Sequence, residues 1–486
     1  MGSIDTPEWV RDAIFYQIFP DRFARSDCVP KPSNLEPWDA PPTTHGFKGG
    51  DLIGVVDHLD YLQELGITAL YFCPVFQSTA NHRYHTYDYH NVDPILGGNE
   101  ALRTLLDEAH RRGMRVILDG VFNHASRGFF QFNHIVENGA ASPYVDWFTV
   151  HNLPLRPYDA PDCQYGYDCW WGLPALPKLN TKTPAVRHFL WDVAAHWIEF
   201  GIDGWRLDVP AEIDDDEFWR EFRRRVRAIN PEAYIVGEIW HDAQRWLQGD
   251  QFDATMNYMV ARACLGFFAN DTLNQGEASR TGYHWIEPID GAKFAAEVRR
   301  LLGLYAREVN EVQYNCLGSH DTPRFRTLAL GDSTAYRLAT LFQMTYLGAP
   351  SIYYGDEIGL EGRHEPASRQ GFPWGGQGWD RELREYVRRC IALRAAHPAL
   401  RRGDIAFLLA EGGSAVYGRR LGDQALIVAL NTARRPVVQR IPVYGYLPEG
   451  APLHDAWTGA RFAVSQGHLE LALPARDGAV LIAGGI

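Results

Sequence analysis

Four carboxylates, one arginine and two histidines stand where short apolar runs of the sequence end. They are Asp119, His124, Arg206, Asp208, Glu238, His320 and Asp321. Two carboxyl groups are enough to cleave a glycosidic bond, because one protonates the leaving oxygen while the other attacks or stabilises the oxocarbenium-like centre. An adjacent arginine favours the ionised form of one carboxyl group, and the other negative charges favour a proton on its partner. These residue types therefore indicate acid–base chemistry on a sugar.

Taken singly, each of these residues has an ordinary structural explanation. An aspartate at a strand end is more often a helix N-cap or a loop anchor, and Asp119 fits that description as the residue that orients the third loop. A single histidine such as His124 is more often a core or loop residue than a ligand. The hypothesis of a catalytic site rests on their joint occurrence at the ends of separate strands.

The apolar runs that precede these residues are predicted to be the strands of a parallel barrel. The eight candidates span residues 13–18, 69–72, 115–119, 204–208, 234–238, 256–258, 312–317 and 351–355. Between them lie amphipathic stretches with apolar residues at i, i+3 and i+4, which is typical of helices. Eight strands that alternate with helices predict an α/β fold, a (β/α)8 TIM barrel, whose reactive groups lie at the C-terminal ends of the strands.

Two parts of the chain break this alternation. Residues 125–179, after the third strand, are rich in Pro, Gly, Asn and aromatic residues, and are too many for an ordinary connection. After residue 399 the pattern changes to short alternating runs, which are typical of strands. We expect a catalytic barrel at 1–124 and 180–399, an inserted B domain at 125–179 and a C-terminal antiparallel β-sandwich at 400–486.

Composition argues against some classes of binding partner. The net charge of −13, with no compensating basic stretch, argues against nucleic acid, and no apolar run reaches the roughly 18 residues that span a membrane. The 15 Trp and 23 Tyr suit a sugar-binding cleft, although a large aromatic core would explain them equally well.

Cysteine usage and the N-terminus bear on the compartment. Seven cysteines without a CxxC pair indicate a reducing compartment with mostly buried thiols, although Cys163 and Cys169 are close enough in sequence to form a disulfide. The first residues contain no apolar signal-peptide segment, so a cytoplasmic location is expected.

Four motifs in order carry a resemblance to a known family. They are DGVFNH (119–124), GIDGWRLDVPAE (201–212), VGEIWHDA (236–243) and LGSHDTPRF (317–325). With them the chain, from about Trp9 onwards, resembles the α-amylase family of glycoside hydrolases, family 13. The resemblance implies a barrel with an inserted B domain and a C-terminal β-domain, and a retaining mechanism. It also implies that Asp208 is the nucleophile, Glu238 the general acid/base and Asp321 the transition-state stabiliser.

The resemblance extends to substrate contacts. Arg206, His124 and His320 match residues that contact the sugar on the non-reducing side of the scissile bond, and the segment 81–89 places His82 and Tyr84 there as well. LPKLN (176–180) and EIWH (238–241) are similar to the neopullulanase, cyclomaltodextrinase and maltogenic amylase subgroup. Trp240 is then expected to stack on the sugar at the leaving-group side.

The chain departs from that subgroup in two ways. Glu365 and Arg369 stand where an Asp and an Arg are usual, so a longer acid is expected to reshape the distal glycone subsite. The barrel begins almost at residue 1, whereas the subgroup usually carries an N-terminal β-domain. This puts dimerisation through that domain and narrow selectivity for cyclic substrates in doubt, and leaves monomer and homodimer as alternatives.

No cofactor is expected to be required, and structural calcium is an open alternative. The family's usual calcium-binding His shortly after the nucleophile is missing. A subgroup-type Ca²⁺ site near the first loop would use oxygen ligands from Asp27, Gly49 and Asp51, although Arg25 stands where an Asn is common.

Three functions follow as hypotheses. The first is retaining hydrolysis of α-1,4-glucosidic bonds in maltodextrins, starch, cyclodextrins or pullulan, with some transglycosylation. The second is a 4-α-glucanotransferase on the same scaffold. The third is a non-catalytic binding or assembly protein, which the presence of all three carboxylates disfavours. A metal-dependent barrel enzyme is disfavoured because the sequence has no clustered ligand set such as HExxH.

Overall fold

Eight parallel strands form a closed barrel in the computed structural model, which describes residues 4–158 and 160–484. The first ten strands are β1 Phe15–Ile18, β2 Ala69–Phe72, β3 Phe76–Ser78, β4 Thr86–Val92, β5 Arg115–Gly120, β6 Gly204–Leu207, β7 Tyr234–Gly237, β8 Ala254–Thr255, β9 Tyr314–Cys316 and β10 Ala349–Tyr353. The barrel order is β8-β7-β6-β5-β2-β1-β10-β9, and a parallel bridge from Met256 to Tyr314 closes it. Strands β3 and β4 form a separate antiparallel hairpin. The predicted TIM barrel is confirmed.

Helices follow the barrel strands and cover their outer faces. They are α1 Pro20–Phe23, α2 Leu52–Val56, α3 Leu59–Leu65, α4 Gly98–Arg111, α5 Phe130–Asn138, α6 Pro184–Phe200, α7 Asp216–Ile229, α8 Tyr258–Phe268, α9 Gln275–Ala278, α10 Gly291–Leu302, α11 Arg307–Asn310, α12 Phe325–Leu328, α13 Ser333–Thr345, α14 Arg381–Ala396 and α15 Pro398–Arg402.

Local sequence signals explain where the helices begin and end. Asp215 caps α7, because its side chain accepts a hydrogen bond from the backbone N–H of Phe218. Helix α6 begins at Pro184, where a missing N–H costs nothing, and ends at Phe200, before Gly201, whose φ of +111° suits glycine. The barrel strands β1, β2, β6, β7 and β10 are buried along their whole length, which explains their continuous apolar runs.

The chain between β5 and α6 folds on the C-terminal side of the barrel. It contains α5 and several single 3-10 turns, one of them at Trp170–Gly172. Its two ends run antiparallel, since Ala125 N donates to Pro177 O and Leu179 N donates to Asn123 O. This pairing brings both ends of the insertion back to the end of β5.

The C-terminal part is antiparallel, as predicted. Its strands are β11 Asp404–Glu411, β12 Ser414–Leu421, β13 Gln424–Asn431, β14 Val437–Pro442, β15 Pro452–Asp455, β16 Arg461–Ala463, β17 His468–Leu473 and β18 Asp477–Ala483. Six of them form one sheet in the order β11-β12-β13-β18-β15-β16, and β14 pairs with β17. A second hydrophobic cluster, which includes Ile427 and Leu481, lies between the two sheets.

Three sequence-based details differ from the structure. The sixth strand lies at Ala254–Thr255, immediately before the predicted range 256–258, because Tyr258 already begins α8. The amphipathic stretch between the sixth and seventh strands, expected to be helical, is interrupted after Leu302, where the Asn310 side chain donates to the terminal carbonyl. The pairing considered for Cys163 and Cys169 is absent, as both are free thiols, while four of the seven cysteines are buried.

Within the described residues, no helix combines the length and the apolar character needed to cross a lipid bilayer.

Candidate active site

The barrel brings the predicted catalytic carboxylates together at one end. Asp208 and Glu238 each follow the last residue of a strand, β6 and β7, and Asp321 lies in the loop after β9. Asp119 lies within β5, beside Arg206 of β6 in the parallel register. Because neighbouring parallel strands end at the same edge, these side chains converge there.

A single guanidinium lies at the centre of the site. Nη1 of Arg206 is 3.1 Å from both Asp119 Oδ1 and Asp208 Oδ1, and Nη2 is 3.0 Å from Glu238 Oε2. Asp321 Oδ2 is farther from Nη2, at 3.8 Å. The buried Arg206 guanidinium is therefore close to three carboxylates and lies at longer range from a fourth.

The shared arginine changes the expected electrostatics. Burial raises the pKa of Asp208 well above its usual range, and Arg206 opposes this while Glu238 adds to it. Burial and the Glu238 charge also raise the pKa of Asp321, to about 7. The expectation that Arg206 simply keeps Asp208 ionised is thus incomplete, because four carboxyl groups compete for that cation and the cluster retains a proton near neutral pH.

The oxygens of Asp208 and Glu238 differ in their partners. Asp208 Oδ1 binds Arg206, whereas its buried Oδ2 has no hydrogen-bond partner among the described residues. Glu238 Oε2 accepts the backbone N–H of Val209, and Oε1 accepts the indole N–H of Trp240, both at 3.1 Å. Glu238 is therefore held at both oxygens, while Asp208 offers one free oxygen to a ligand.

Trp240 packs against a second aromatic ring. Its indole lies on Tyr258 with ring centroids 3.6 Å apart and only 3° between the planes. Tyr283 contacts it edge-on at 5.5 Å. The predicted stacking residue is thus half-buried, with one face covered by protein.

His320 lies behind Asp321 and is held on both ring nitrogens. The Gln17 amide nitrogen is 2.7 Å from Nδ1, while Nε2 faces the Tyr84 hydroxyl and Asp321 Oδ2, the latter at 3.1 Å. Burial, with Arg369 nearby, lowers the pKa of His320 well below its usual value. The ring is therefore neutral, and with the amide donating to Nδ1 its proton lies on Nε2, toward the carboxylate.

His124 is also neutral and keeps one nitrogen available. Burial lowers its pKa to about 3. The Asn123 amide lies 3.2 Å from Nδ1, and Nε2 has no hydrogen-bond partner within the described part of the chain. The ring stacks on Trp170, with centroids 5.1 Å apart and planes 13° apart. Such a ring can donate a hydrogen bond to a sugar hydroxyl.

The predicted pair His82 and Tyr84 also lies at this end of the barrel. The Tyr84 hydroxyl donates to Asp119 Oδ2 at 2.7 Å, and its ring stacks on His320 at 5.4 Å. His82 Nδ1 accepts the backbone N–H of Tyr84 at 3.2 Å, and burial lowers the pKa of His82. Both residues therefore belong to the same cluster as the carboxylates.

Glu365 and Arg369 lie at different depths. The buried Arg369 donates to the carbonyl of His320 and lies 3.4 Å from Asp321 Oδ1. Glu365 is 61% exposed and pairs with Arg369 at 2.5 Å. Arg369 thus bridges the third carboxylate to the rim, where Glu365 faces solvent.

Several residues of the site were missed by the sequence reasoning. Gln17, Tyr71, Tyr258 and Trp170 all contact predicted site residues, and Tyr71 donates to Asp119 Oδ2 at 2.7 Å. Gln17 could have been identified from the sequence, since it is a polar residue inside the buried strand FYQI. Tyr71 could not have been identified in this way, because tyrosine is common in strands.

The predicted calcium ligands do not form an evident site. Both oxygens of Asp51 are engaged: Oδ1 accepts Gly54 N, and Oδ2 accepts Ser26 N and lies 2.9 Å from the Lys31 ammonium. Asp27 is exposed, and the Gly49 N–H donates to Asp21. In residues 4–158 and 160–484 no cluster of three or more His, Cys, Asp or Glu side chains suits a metal. A lysine therefore supplies the positive charge beside Asp51.

Comparison with known proteins gives consistent matches over the whole chain. A family model described as the α-amylase catalytic domain matches residues 17–390, and one described as the neopullulanase-like C-terminal domain matches residues 406–479. A cyclomaltodextrinase from Geobacillus thermopakistaniensis is 44% identical over 96% of this chain and 76% of its own length. Neopullulanase 2 from Thermoactinomyces vulgaris is 44% identical over 98% of this chain and 78% of its own. The native Nostoc punctiforme debranching enzyme superposes with a TM-score of 0.91 at 46% identity, covering both chains completely.

Proposed function

The chain belongs to the α-amylase family of glycoside hydrolases, and on that premise we propose that it hydrolyses α-1,4-glucosidic bonds with retention of configuration. Its substrates are maltodextrins, starch, cyclodextrins or pullulan. The observation that carries the proposal is the convergence of Asp208, Glu238 and Asp321 on Arg206 at the C-terminal end of the barrel.

Each carboxyl group has a distinct role in the proposed reaction. Glu238 donates its proton to the glycosidic oxygen as Asp208 attacks the anomeric carbon, which forms a glucosyl ester and releases the leaving sugar. A water molecule then attacks the same carbon while Glu238, now ionised, takes a proton from it. The ester bond to Asp208 breaks, which restores the Asp208 carboxylate. The unpartnered Oδ2 of Asp208 supports its role as nucleophile.

The surrounding groups position the sugar and stabilise developing charge. The neutral ring of His124 has a nitrogen available to a hydroxyl group of the substrate, and Asp321 lies between His320 and Arg369. A carboxylate placed there stabilises the positive charge of the oxocarbenium-like transition state. His82, Tyr84 and Arg206 complete the proposed glycone side.

The domain division is part of the proposal. The barrel takes residues 1–124 and 180–399, the B domain residues 125–179 and the C-terminal domain residues 400–486. The antiparallel pairing of 123–125 with 177–179 and the separate C-terminal hydrophobic cluster support these limits. We keep the cytoplasmic location, and the choice between monomer and homodimer, as predictions.

A substrate panel with product analysis tests the proposal. Cyclodextrin, pullulan, starch and maltotriose are incubated with the wild-type protein, and Glu238→Gln serves as the matched inactive control. Linear maltooligosaccharides from several of these substrates are the expected products, and no cleavage of any would refute the proposal. Products longer than maltotriose from maltotriose would favour the glucanotransferase alternative. A branched dextrin is added because the Nostoc match is described as a debranching enzyme.

A further inference from the structure

Two consecutive tryptophans continue the active-site wall outward into solvent. Trp170 stacks on His124, and Trp171 stacks on Trp170 with centroids 4.5 Å apart and planes 11° apart. The three rings form a ladder that begins at the buried His124 and ends at Trp171. We call Trp170 and Trp171 the tryptophan platform.

Neither packing nor backbone preference accounts for a tryptophan at position 171. The side chain is 80% exposed, the most exposed large apolar residue of the described chain. Its φ of +52° and ψ of +24° lie in the left-handed region, which bulky side chains rarely adopt. A residue that buries little and strains its backbone points to a use other than folding stability.

The exposed indole has the chemistry of a sugar-binding surface. One face of Trp171 lies on Trp170, and its exposure leaves the other open to solvent. Flat aromatic faces pack against the apolar C–H faces of pyranose rings while the sugar hydroxyls stay hydrated. The platform is continuous with His124, whose free Nε2 lies in the proposed substrate site. The open face of Trp171 therefore has the chemistry to hold a sugar ring.

We propose that the open face of Trp171 binds a glucosyl residue of an α-glucan, away from the scissile bond, and so favours chains long enough to reach it. This inference rests on the proposed function. Trp170 acts as the spacer, because its ring stacks on both Trp171 and His124.

The test compares chain-length preference between variants. kcat/KM is measured for maltotriose and maltoheptaose with wild type, Trp171→Ala and Trp171→Phe. Tyr444→Ala is the matched control, since Tyr444 is a similarly exposed aromatic residue, at 73%, in the C-terminal part. In Trp171→Ala the ratio of maltoheptaose to maltotriose kcat/KM should fall about tenfold, mainly through KM, which matches one aromatic stacking contact. Trp171→Phe should keep the ratio within about threefold, and Tyr444→Ala should keep it unchanged.

Other outcomes separate this inference from the proposed function. An unchanged ratio in Trp171→Ala would overturn it. A parallel fall for both substrates would also overturn it, because Trp171 would then only hold the His124 ring in place. If wild type cleaved neither substrate, the proposed function would fail instead. In that case the platform is tested by calorimetric measurement of maltoheptaose binding to the Glu238→Gln variant. Adding Trp171→Ala to this variant should raise the Kd about tenfold. Equal affinity of the two variants would overturn the inference.

Discussion

The indole N–H of Trp240 donates a hydrogen bond to Oε1 of Glu238 at 3.1 Å, while the indole face lies on Tyr258 at 3.6 Å. Tyr258 is itself fixed, since its hydroxyl is 2.9 Å from Ser319 Oγ. Trp240 is therefore a rigid donor to the proposed acid/base in addition to the sugar-stacking residue that the sequence predicted. Its indole nitrogen and its ring can be tested separately.

Trp240→Phe removes the indole N–H but keeps an aromatic ring on Tyr258. We expect kcat on maltooligosaccharides to fall about tenfold, because a hydrogen bond to a charged or reacting group contributes roughly 1.5 kcal/mol. The loss should be smaller for an aryl maltoside whose leaving group needs little protonation. Tyr258→Phe, which keeps the stack and loses only the hydroxyl, is the control. Equal losses on both substrates would show that Trp240 does not act through Glu238.

Glu238→Gln should lower kcat on maltooligosaccharides by about 10³-fold or more while the protein remains folded and binds sugar. With an aryl maltoside bearing a good leaving group, the first step should be largely spared, seen as a burst of released phenol. Asp208→Asn is the matched comparison and should abolish both reactions, because no ester forms. Near-normal turnover by Glu238→Gln would remove this residue from its proposed role.

The new reducing end formed by hydrolysis should appear first as the α-anomer. Two displacements at the anomeric carbon, first by Asp208 and then by water, restore the starting configuration. Fast proton NMR of maltooligosaccharide cleavage should show the α-anomeric signal before mutarotation produces the β-signal. Initial release of the β-anomer would exclude the double displacement and with it the nucleophilic role of Asp208.

The barrel, and the positions of the carboxylates proposed to be catalytic, could be predicted from the sequence for a physical reason. Parallel strands buried on both faces are continuous apolar runs, and the residue that follows each run lies at the same edge of the barrel. Asp208 and Glu238 could be located in this way without any knowledge of tertiary contacts. The sixth strand was misplaced because only two residues pair there, too few to leave a pattern.

Contacts between distant residues could not be predicted. Gln17 reaches His320 across 303 positions, and nothing near either residue encodes the other. The sharing of Arg206 by three carboxylates depends on distances between strands, so sequence indicated an ion pair where the structure has a cluster. The left-handed backbone of Trp171 likewise has no signature in the run CWWGL.

Removal of divalent metal should have little effect. The Lys31 ammonium already lies 2.9 Å from Asp51 Oδ2, and backbone N–H groups of Ser26 and Gly54 occupy the remaining acceptor positions. After dialysis against EDTA we expect the unfolding midpoint to change by less than about 1 °C, since a ligand that does not bind adds no stability. Activity should change only modestly. A loss of activity that Ca²⁺ reverses would show that the protein uses the metal after all.

Neutralising Asp321 should stabilise the protein at alkaline pH. Burial and the Glu238 charge raise the pKa of Asp321 from 3.8 to about 7, so the folded protein binds a proton that the unfolded chain releases at lower pH. The contribution of this group to stability is therefore fully present below about pH 4 and is lost as pH rises through about 7. Asparagine has no such proton to lose.

The difference in unfolding midpoint between Asp321→Asn and wild type should accordingly grow from pH 4.5 to pH 8, where the variant should be more stable by about 2 °C or more. Asp423→Asn, at an exposed carboxylate in the turn between β12 and β13, is the control and should show no such trend. Asp321→Asn should also be nearly inactive if Asp321 stabilises the transition state. A midpoint difference independent of pH would mean that Asp321 does not hold the retained proton of the carboxylate cluster, and that this proton lies on another carboxyl group around Arg206.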